Sequence, residues 1–274
     1  MSIHTATMKG RRKTNEDAHI VKTYLNRNNN SKKDYAKVNI YGVFDGHGGP
    51  YVSKYLYNNL HKYFISSQVK YPVKKSYINK VYDRLQEKLT AENKVKSYGC
   101  GSTCLVALHF KDINHKDRLQ IMNTGDSRAI ICRKDMAIRL TNDHKPNNPF
   151  ETHRITELGG KIRYDGYDYR IKDLSVSRAF GDNDSKPYVV HNPDIFDHKI
   201  DKNDKFMVLA CDGLWDVMTD QDVVDYVLSE YYNIESGQRI KKRINVAKKL
   251  ADHAIGKLKS SDNVTVLVVF FNKQ

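Results

Sequence analysis

The sequence predicts an α+β fold, two antiparallel sheets with helix pairs outside them, in a four-layer α-β-β-α sandwich. Three observations predict it. Apolar runs rich in Val, Ile, Leu and Tyr are short, clustered and bounded by turn residues, as strands are. Helical three- and four-residue spacing appears between the clusters, in pairs of segments. The strict strand–helix alternation of a doubly wound parallel sheet is missing.

The elements follow in order. Residues 18–25 and 36–44 read as strands, and the NRNNNSKK stretch at 26–33 between them reads as a solvated hairpin loop. Residues 51–64 and 73–91 have helical spacing. Strands are expected at 103–110, 119–123, 127–133 and 136–140, with 119–140 forming consecutive hairpins. A strand at 206–211 precedes a helix that Thr219 caps and that runs through Leu228, with Asp222 in a capping-box position. Residues 240–259 repeat the helical period and 264–271 form the last strand. No internal repeat and no Pro/Gly/Ser linker divides the chain, so a single domain over 1–274 is expected.

Composition narrows the function. Lys and Arg number 46 against 32 Asp and Glu, a difference of 46 − 32 = +14. A hydrophobic share of 39% with 10% aromatics suits a folded core and not a disordered chain. The longest apolar run, 264–271, is too short to cross a bilayer, and the opening MSIHTATMKGRR lacks the apolar stretch of a secretory signal. The expected location is the cytoplasm, with the nucleus open, and no membrane contact. Cys100, Cys104, Cys132 and Cys211 lack CxxC spacing and lie in or beside apolar runs, which points to buried free thiols rather than a zinc site. The positive charge is spread along the chain, where a nucleic-acid binder would cluster it among exposed aromatics. The nearest approach, KYPVKKSYINK at 70–80, has Tyr71, Val73, Tyr77 and Ile78 placed for helix packing. Nucleic acid is therefore not expected as a partner.

Carboxylates recur where strands end. Asp45 follows IYGVF, Asp126 follows QIMNTG, Asp212 follows MVLAC, Asp262 precedes the last strand, and Glu16 and Asp17 precede the first predicted one. One such Asp is an ordinary turn residue. Several brought together repel and lose hydration unless a hard cation neutralises them, and Mg²⁺ or Mn²⁺ accepts such oxygen ligands.

These residues sit in motifs that resemble the type-2C, or PPM, metal-dependent protein serine/threonine phosphatases. RKTNED at 12–17 matches the family's R-x-x-x-E-D, and FDGHGG at 44–49 its most characteristic element. YGCGST at 98–103, NTGDSRA at 123–129, DHKP at 143–146, THRI at 152–155, Gly159-Gly160, LSVSRAFGD at 174–182, ACDGLWDVM at 210–218 and SSDNVTVLVV at 260–269 follow in family order. Two departures stand out: Asp173 occupies a position where relatives usually carry glycine, and the segment 182–193 is short. Both bear on substrate choice.

The resemblance implies a binuclear Mg²⁺ or Mn²⁺ centre acting on phosphorylated proteins, in a chain expected to be a monomer. Asp45 would bridge the two ions, with the Gly46 carbonyl on one and Asp212 and Asp262 on the other. Glu16 and Asp17 would act through bound waters. Asp126 and Asp216 match positions that hold a weaker third ion with Asp212. A hydroxide bridging the metals would attack phosphorus directly, with no phosphoenzyme, and no cysteine here sits in a C-x₅-R loop. Arg12 is the candidate phosphate clamp, because a guanidinium grips two phosphate oxygens at once. His47 is the candidate general acid, because imidazole titrates near working pH. A catalytically dead phosphoprotein-binding relative would have lost a core carboxylate; none is lost.

Overall fold

The structure, a computed structural model, describes residues 2–27, 35–65, 69–232 and 244–271. Strands β1 (Ser2–Met8), β2 (Ala18–Arg27), β3 (Tyr35–Phe44) and the short β4 (Gly46–His47) lead into helices α1 (Tyr51–Asn59) and α2 (Lys75–Glu92). Helix α3 (Lys96–Gly99) precedes β5 (Gly101–Ser102), β6 (Cys104–Lys111), β7 (Asp117–Thr124), β8 (Arg128–Arg133) and β9 (Met136–Arg139). Next come α4 (Pro149–Glu157), β10 (Ile162–Tyr164), β11 (Tyr169–Ile171), β12 (Phe180–Gly181) and β13 (Asp194–Lys199). The last elements are β14 (Asp204–Ala210), α5 (Asp212–Trp215), α6 (Asp220–Tyr231), α7 (Val246–Gly256) and β15 (Val264–Phe270).

Two five-stranded antiparallel sheets dominate, in the orders β1-β15-β14-β8-β9 and β13-β7-β6-β3-β2. Strand β14 shows how they bury their faces. Its side chains alternate with period two. Phe206, Val208 and Ala210 join Val223, Val227 and Leu250 of α6 and α7. Met207, Leu209 and the following Cys211 join Tyr41, Val43, Leu105 and Ile121 of the other sheet. That sheet's opposite face, through Ile40, Val106 and Leu108, packs on Leu56, Tyr82 and Leu85 of α1 and α2.

Sequence and structure differ in places. The expected hairpins across 119–140 are one hairpin only. β8 pairs with β9, but β7 pairs with β6 and β13 in the other sheet. Gly125, at φ +104°, turns the chain between the sheets. Strands β1 and β13 and helix α4 are additional. β1 and β13 are edge strands, mostly half-buried, and SIHTATM and DIFDHK carry too few apolar residues to announce them. Helix α4 is short, with Asn148 as its cap and Pro149 in its first turn. The predicted helix 51–64 stops at Asn59 and continues as a 3₁₀ turn over Leu60–Tyr63. The Thr219–Asp222 capping box is present, and its helix extends to Tyr231. Helix α7 begins at Val246, and residues 240–243 of the segment expected to be helical lie outside the described residues, as do 28–33 of the expected 26–33 loop, whose first two residues belong to β2. The 70–80 stretch packs as expected: Val73 and Ile78 are buried, and Tyr71 and Tyr77 donate to the carbonyls of Phe64 and Tyr63.

Strand register decides where the acids meet. Ala210 faces Val266 and Met8 faces Val264, so Asp212 and Asp262 leave the first sheet at one end. Ala18 faces Phe44 and Cys104 faces Thr124, so Asp17, Asp45 and Asp126 leave the second sheet together.

Leu209→Ala in the core between the sheets should cost about 2–5 kcal/mol, and Thr219→Ala at the cap about 1 kcal/mol. Urea unfolding of the two variants measures both. A smaller loss for Leu209→Ala than for the cap variant would contradict the packing described.

Candidate active site

Asp45, Asp126 and Asp212 each offer a carboxylate oxygen, and the three atoms lie within 4.8 Å of one another. Burial comes first among the causes that hold the Asp45 carboxyl well above the usual range, followed by the charges of Asp212, Asp17, Asp126 and Asp262. The Asp212 carboxyl is raised in the same way, by burial and then by Asp126 and Asp216. Asp17 is also buried, 8% exposed. Its Oδ2 accepts from the Thr265 hydroxyl at 2.6 Å, while its Oδ1 is buried without a hydrogen-bond partner. Burial pushes this carboxyl up to about 6, against the Thr265 hydrogen bond. Asp17 and Asp45 also approach the Cys211 thiol, which burial raises well above its ordinary value. That thiol accepts from the Thr265 amide at 3.1 Å and is a structural contact.

The surrounding residues are fixed from several elements. Glu16 accepts from the Gly49 amide at 2.8 Å and from the Thr14 hydroxyl at 3.0 Å. Its own amide donates to Asn263 at 2.9 Å. Gly46 lies against the Glu16 carbonyl, so closely that a Cβ there would come within 2.4 Å of that oxygen. Arg12 donates through Nη2 to Asp262 Oδ2 at 2.6 Å and is more than half exposed. Arg12, Glu16, Asp45, Asp126, Asp212 and Asp262 share one cavity of about 440 Å³ with His47, Arg170 and Asp173, and Asp17 lies outside its lining. Asp216, at the end of α5, is exposed and does not line it. Its carboxyl is raised by desolvation and by Asp126 and Asp168, with Lys145 opposing.

His47 stands at the cavity wall with Nε2 2.8 Å from Asp182 Oδ2. Burial works to lower this imidazole, but the hydrogen bond and charge of Asp182 outweigh it and the net shift is upward. Asp182 is 2% exposed and adopts the left-handed backbone region at φ 45°, which Asp tolerates better than most residues. Gln86 of α2 clasps the preceding Gly181, accepting from its amide at 2.9 Å and donating to its carbonyl at 3.4 Å. Gly101 leaves room for the pair. A Cβ there would lie 2.1 Å from Asp182 Oδ2 and 2.4 Å from His47 Nε2.

Asp182 ends the LSVSRAFGD motif, and its partnership with His47 was not legible in sequence. Lys145, in DHKP, is a second such residue. Its ammonium lies 2.8 Å from Asp126 and 3.3 Å from Asp168. Burial would lower this ammonium, but Asp126, Asp212 and Asp168 raise it instead. Arg178, read from the sequence as a structural ion pair, does bridge buried Glu151 at 2.5 Å and Asp194 at 2.9 Å. His144 accepts from the Gly125 amide at 3.1 Å and supports the Asp126 turn.

An all-oxygen donor set that is electrostatically crowded and only partly dry fits a hard divalent cation. A cleft that gathers carboxylates beside an arginine and a histidine suits a metal-dependent phosphate-cleaving hydrolase. Residues 1–264 match the family model of protein phosphatase 2C, and the chain belongs to that family of protein serine/threonine phosphatases. It is 38% identical over 235 residues to a probable protein phosphatase 2C of Oryza sativa subsp. japonica, covering 85% of this chain and 77% of that one. It is 40% identical over 175 residues to a PP2C-like domain-containing protein of Acanthamoeba polyphaga mimivirus, covering 58% of this chain and 97% of that protein. Its fold is similar to that of a serine-threonine phosphatase 2C from Toxoplasma gondii, with TM-score 0.78 and 24% identity over 98% of this chain and 94% of that chain.

Crowded acids leave a signature in the metal-free protein. Asp17, Asp45 and Asp212 hold protons in the folded chain at pH values where the unfolded chain has released them. Their contribution to stability is therefore present at low pH and lost as pH rises from about 4 through their raised values. Asp45→Asn removes one such group and its repulsion of the others. In excess chelator this variant should have a higher urea midpoint than the parent at pH 8, and a smaller decline from pH 5 to pH 8. A parent that matches the variant at pH 8 would mean that the acids do not strain the fold.

Proposed function

We propose that the chain hydrolyses phosphoserine and phosphothreonine on proteins by direct attack on phosphorus, with two Mg²⁺ or Mn²⁺ ions and no phosphoenzyme. The convergence of Asp45, Asp126 and Asp212 carries this reading. Asp45 would serve both ions, with the Gly46 carbonyl, Asp212 and Asp262 as the further protein ligands, and Glu16 and Asp17 would act through water. Asp126 and Asp216, together with Asp212, would hold a weaker third ion. When bound, the cations neutralise the acids, polarise the phosphoryl oxygens and make hydroxide available near neutral pH for in-line attack.

The chain's own residues do the rest. Arg12 lines the cavity with one guanidinium nitrogen on Asp262, and its remaining donors grip phosphate oxygens. Thr103 anchors the Asp45 turn. Its hydroxyl accepts from the Asp45 amide at 3.1 Å, and its amide donates to the Asp45 carbonyl at 2.8 Å. Asp182 raises the His47 imidazole and engages Nε2, which leaves Nδ1 to give its proton to the departing seryl or threonyl oxygen. The P–O bond to that oxygen breaks as the bond from the attacking oxygen forms. Phosphoproteins are the substrates, a single catalytic domain spans 1–274, and the chain acts as a monomer in the cytoplasm. No helix among the described residues is long and apolar enough to cross a membrane, and all four cysteines are free.

Phosphate release from a phosphothreonine peptide should stop in excess chelator and return with Mg²⁺ or Mn²⁺, and Asp45→Asn or Asp212→Asn should abolish it in a folded chain. Full turnover in chelator would end the metal reading.

His47→Gln tests the proton. Para-nitrophenolate leaves almost unaided, whereas a seryl or threonyl oxygen needs protonation. The variant should lose about 10²–10⁴-fold on the phosphothreonine peptide and distinctly less on para-nitrophenyl phosphate, both at saturating metal. Asp182→Asn should shift the alkaline limb of peptide turnover to lower pH, because the acid form of His47 then deprotonates earlier. Equal losses on both substrates, with an unmoved limb, would assign His47 to positioning.

A further inference from the structure

Beside the catalytic cavity lies a second one, of about 440 Å³, and Asp173 stands on the wall of both. The charged residues of the second cavity are Lys161, Arg163, Lys172 and Asp173, three cations against one carboxylate. Arg163 pairs with Asp173 at 2.7 Å, and the two side chains are 63% and 93% exposed. Lys172 donates to the Asp184 carbonyl, which carries no net charge. Lys161 has no ion-pair partner among the described residues. The cavity thus has a surplus of positive charge, and among its described lining residues the one carboxylate is a solvated side chain.

The framework around it is fixed. Strands β10 and β11 pair over Ile162↔Ile171 to Tyr164↔Tyr169. Ile171 and Leu174 then exchange backbone hydrogen bonds of 3.0 and 3.1 Å, a tight turn with Lys172 and Asp173 at its tip. Lys172 sits there at φ 52°. The same hairpin exposes Tyr164, Tyr167 and Tyr169, and exposed aromatic rings beside cations suit a polypeptide ligand. One residue of extended chain spans about 3.3–3.6 Å. A substrate whose phosphoresidue fills the first cavity therefore carries its near neighbours across Asp173 to the second.

We propose that this second cavity is a subsite for an anionic side chain, carboxylate or phosphate, close to the phosphorylated residue of the substrate, and that Asp173 is a built-in competitor for it. The proposal rests on the phosphatase reading above. An incoming anion displaces Asp173 from Arg163, and Lys161 adds a second contact. Substrates with acidic flanks are then favoured in binding, while the hydrolytic step is unchanged.

The test compares phosphothreonine peptides with neutral flanks, with Glu on the N-terminal side, with Glu on the C-terminal side, and with a non-hydrolysable phosphonate in place of the Glu, all at saturating metal. KM should fall for the anionic peptides of one side by about two- to five-fold per anion, the strength of an exposed ion pair, with kcat unchanged. The Glu and phosphonate arms show which anion the subsite prefers. Lys161→Gln/Arg163→Gln should erase the preference and leave turnover of para-nitrophenyl phosphate as it was, since neither residue lines the catalytic cavity. Asp173→Asn should lower KM for the anionic peptides further. Equal KM values for neutral and anionic peptides, a preference that survives in the double variant, or a higher KM in Asp173→Asn would each overturn the subsite. No turnover of any substrate, para-nitrophenyl phosphate included, would overturn the phosphatase reading and the subsite with it.

Discussion

Mutual repulsion of carboxylates is the constraint on which the rest of the structure depends. Three acidic oxygens within 4.8 Å of one another, with Asp17 and Asp262 beside them, destabilise any chain that lacks a counter-charge. The fold tolerates this because each acid is held from a different strand end, and the strands are fastened by register and by cores on both faces. Interior packing supplies the stability that the cleft consumes. Function and fold are thus divided between the ends of the sheets and their middles, a common arrangement in which a rigid scaffold positions reactive loops.

Lys145 fits the same constraint. It is a cation of the chain itself placed on Asp126, and its second contact, Asp168, belongs to the loop between β10 and β11. The acids are therefore partly balanced from within, and the loop at the cavity mouth is tied to that balance. The chain from Gln86 through Gly181 and Asp182 to His47 works differently. A buried side chain on α2 holds Gly181, and the left-handed Asp182 that follows it holds the imidazole. One route adjusts charge and the other holds geometry.

Much of this was legible in sequence, for a physical reason. Central strands such as β6 and β14 bury both faces, so they appear as nearly continuous apolar runs. Asp45 and Asp212 sit in short local motifs that need no tertiary information. What escaped depends on distant neighbours. β1 and β13 owe their pairing to the strands beside them more than to their own apolar content. The turn at Gly125 looks like a hairpin turn, yet it carries the chain from one sheet to the other, and only the partners of β7 and β8 tell these apart. Asp182 and Lys145 were visible as motif members, but a motif does not say which side chain meets which across 135 residues of chain, the separation of His47 and Asp182.

The pairing of β1 with β15 has a consequence for biosynthesis. Asp17 meets Thr265 across 248 positions and Arg12 meets Asp262 across 250. Contacts of such separation are the slowest to form, because the loop they close is nearly the whole sequence. On the ribosome, β1 emerges early and waits without its partner until β15 has been translated. A nascent chain that has exposed Asp45 and Asp126 still lacks Asp262 and the strand that organises Asp17. Assembly of the cleft is thereby timed to the translation of β15, and chains that stop short of it hold the acids without the means to use them.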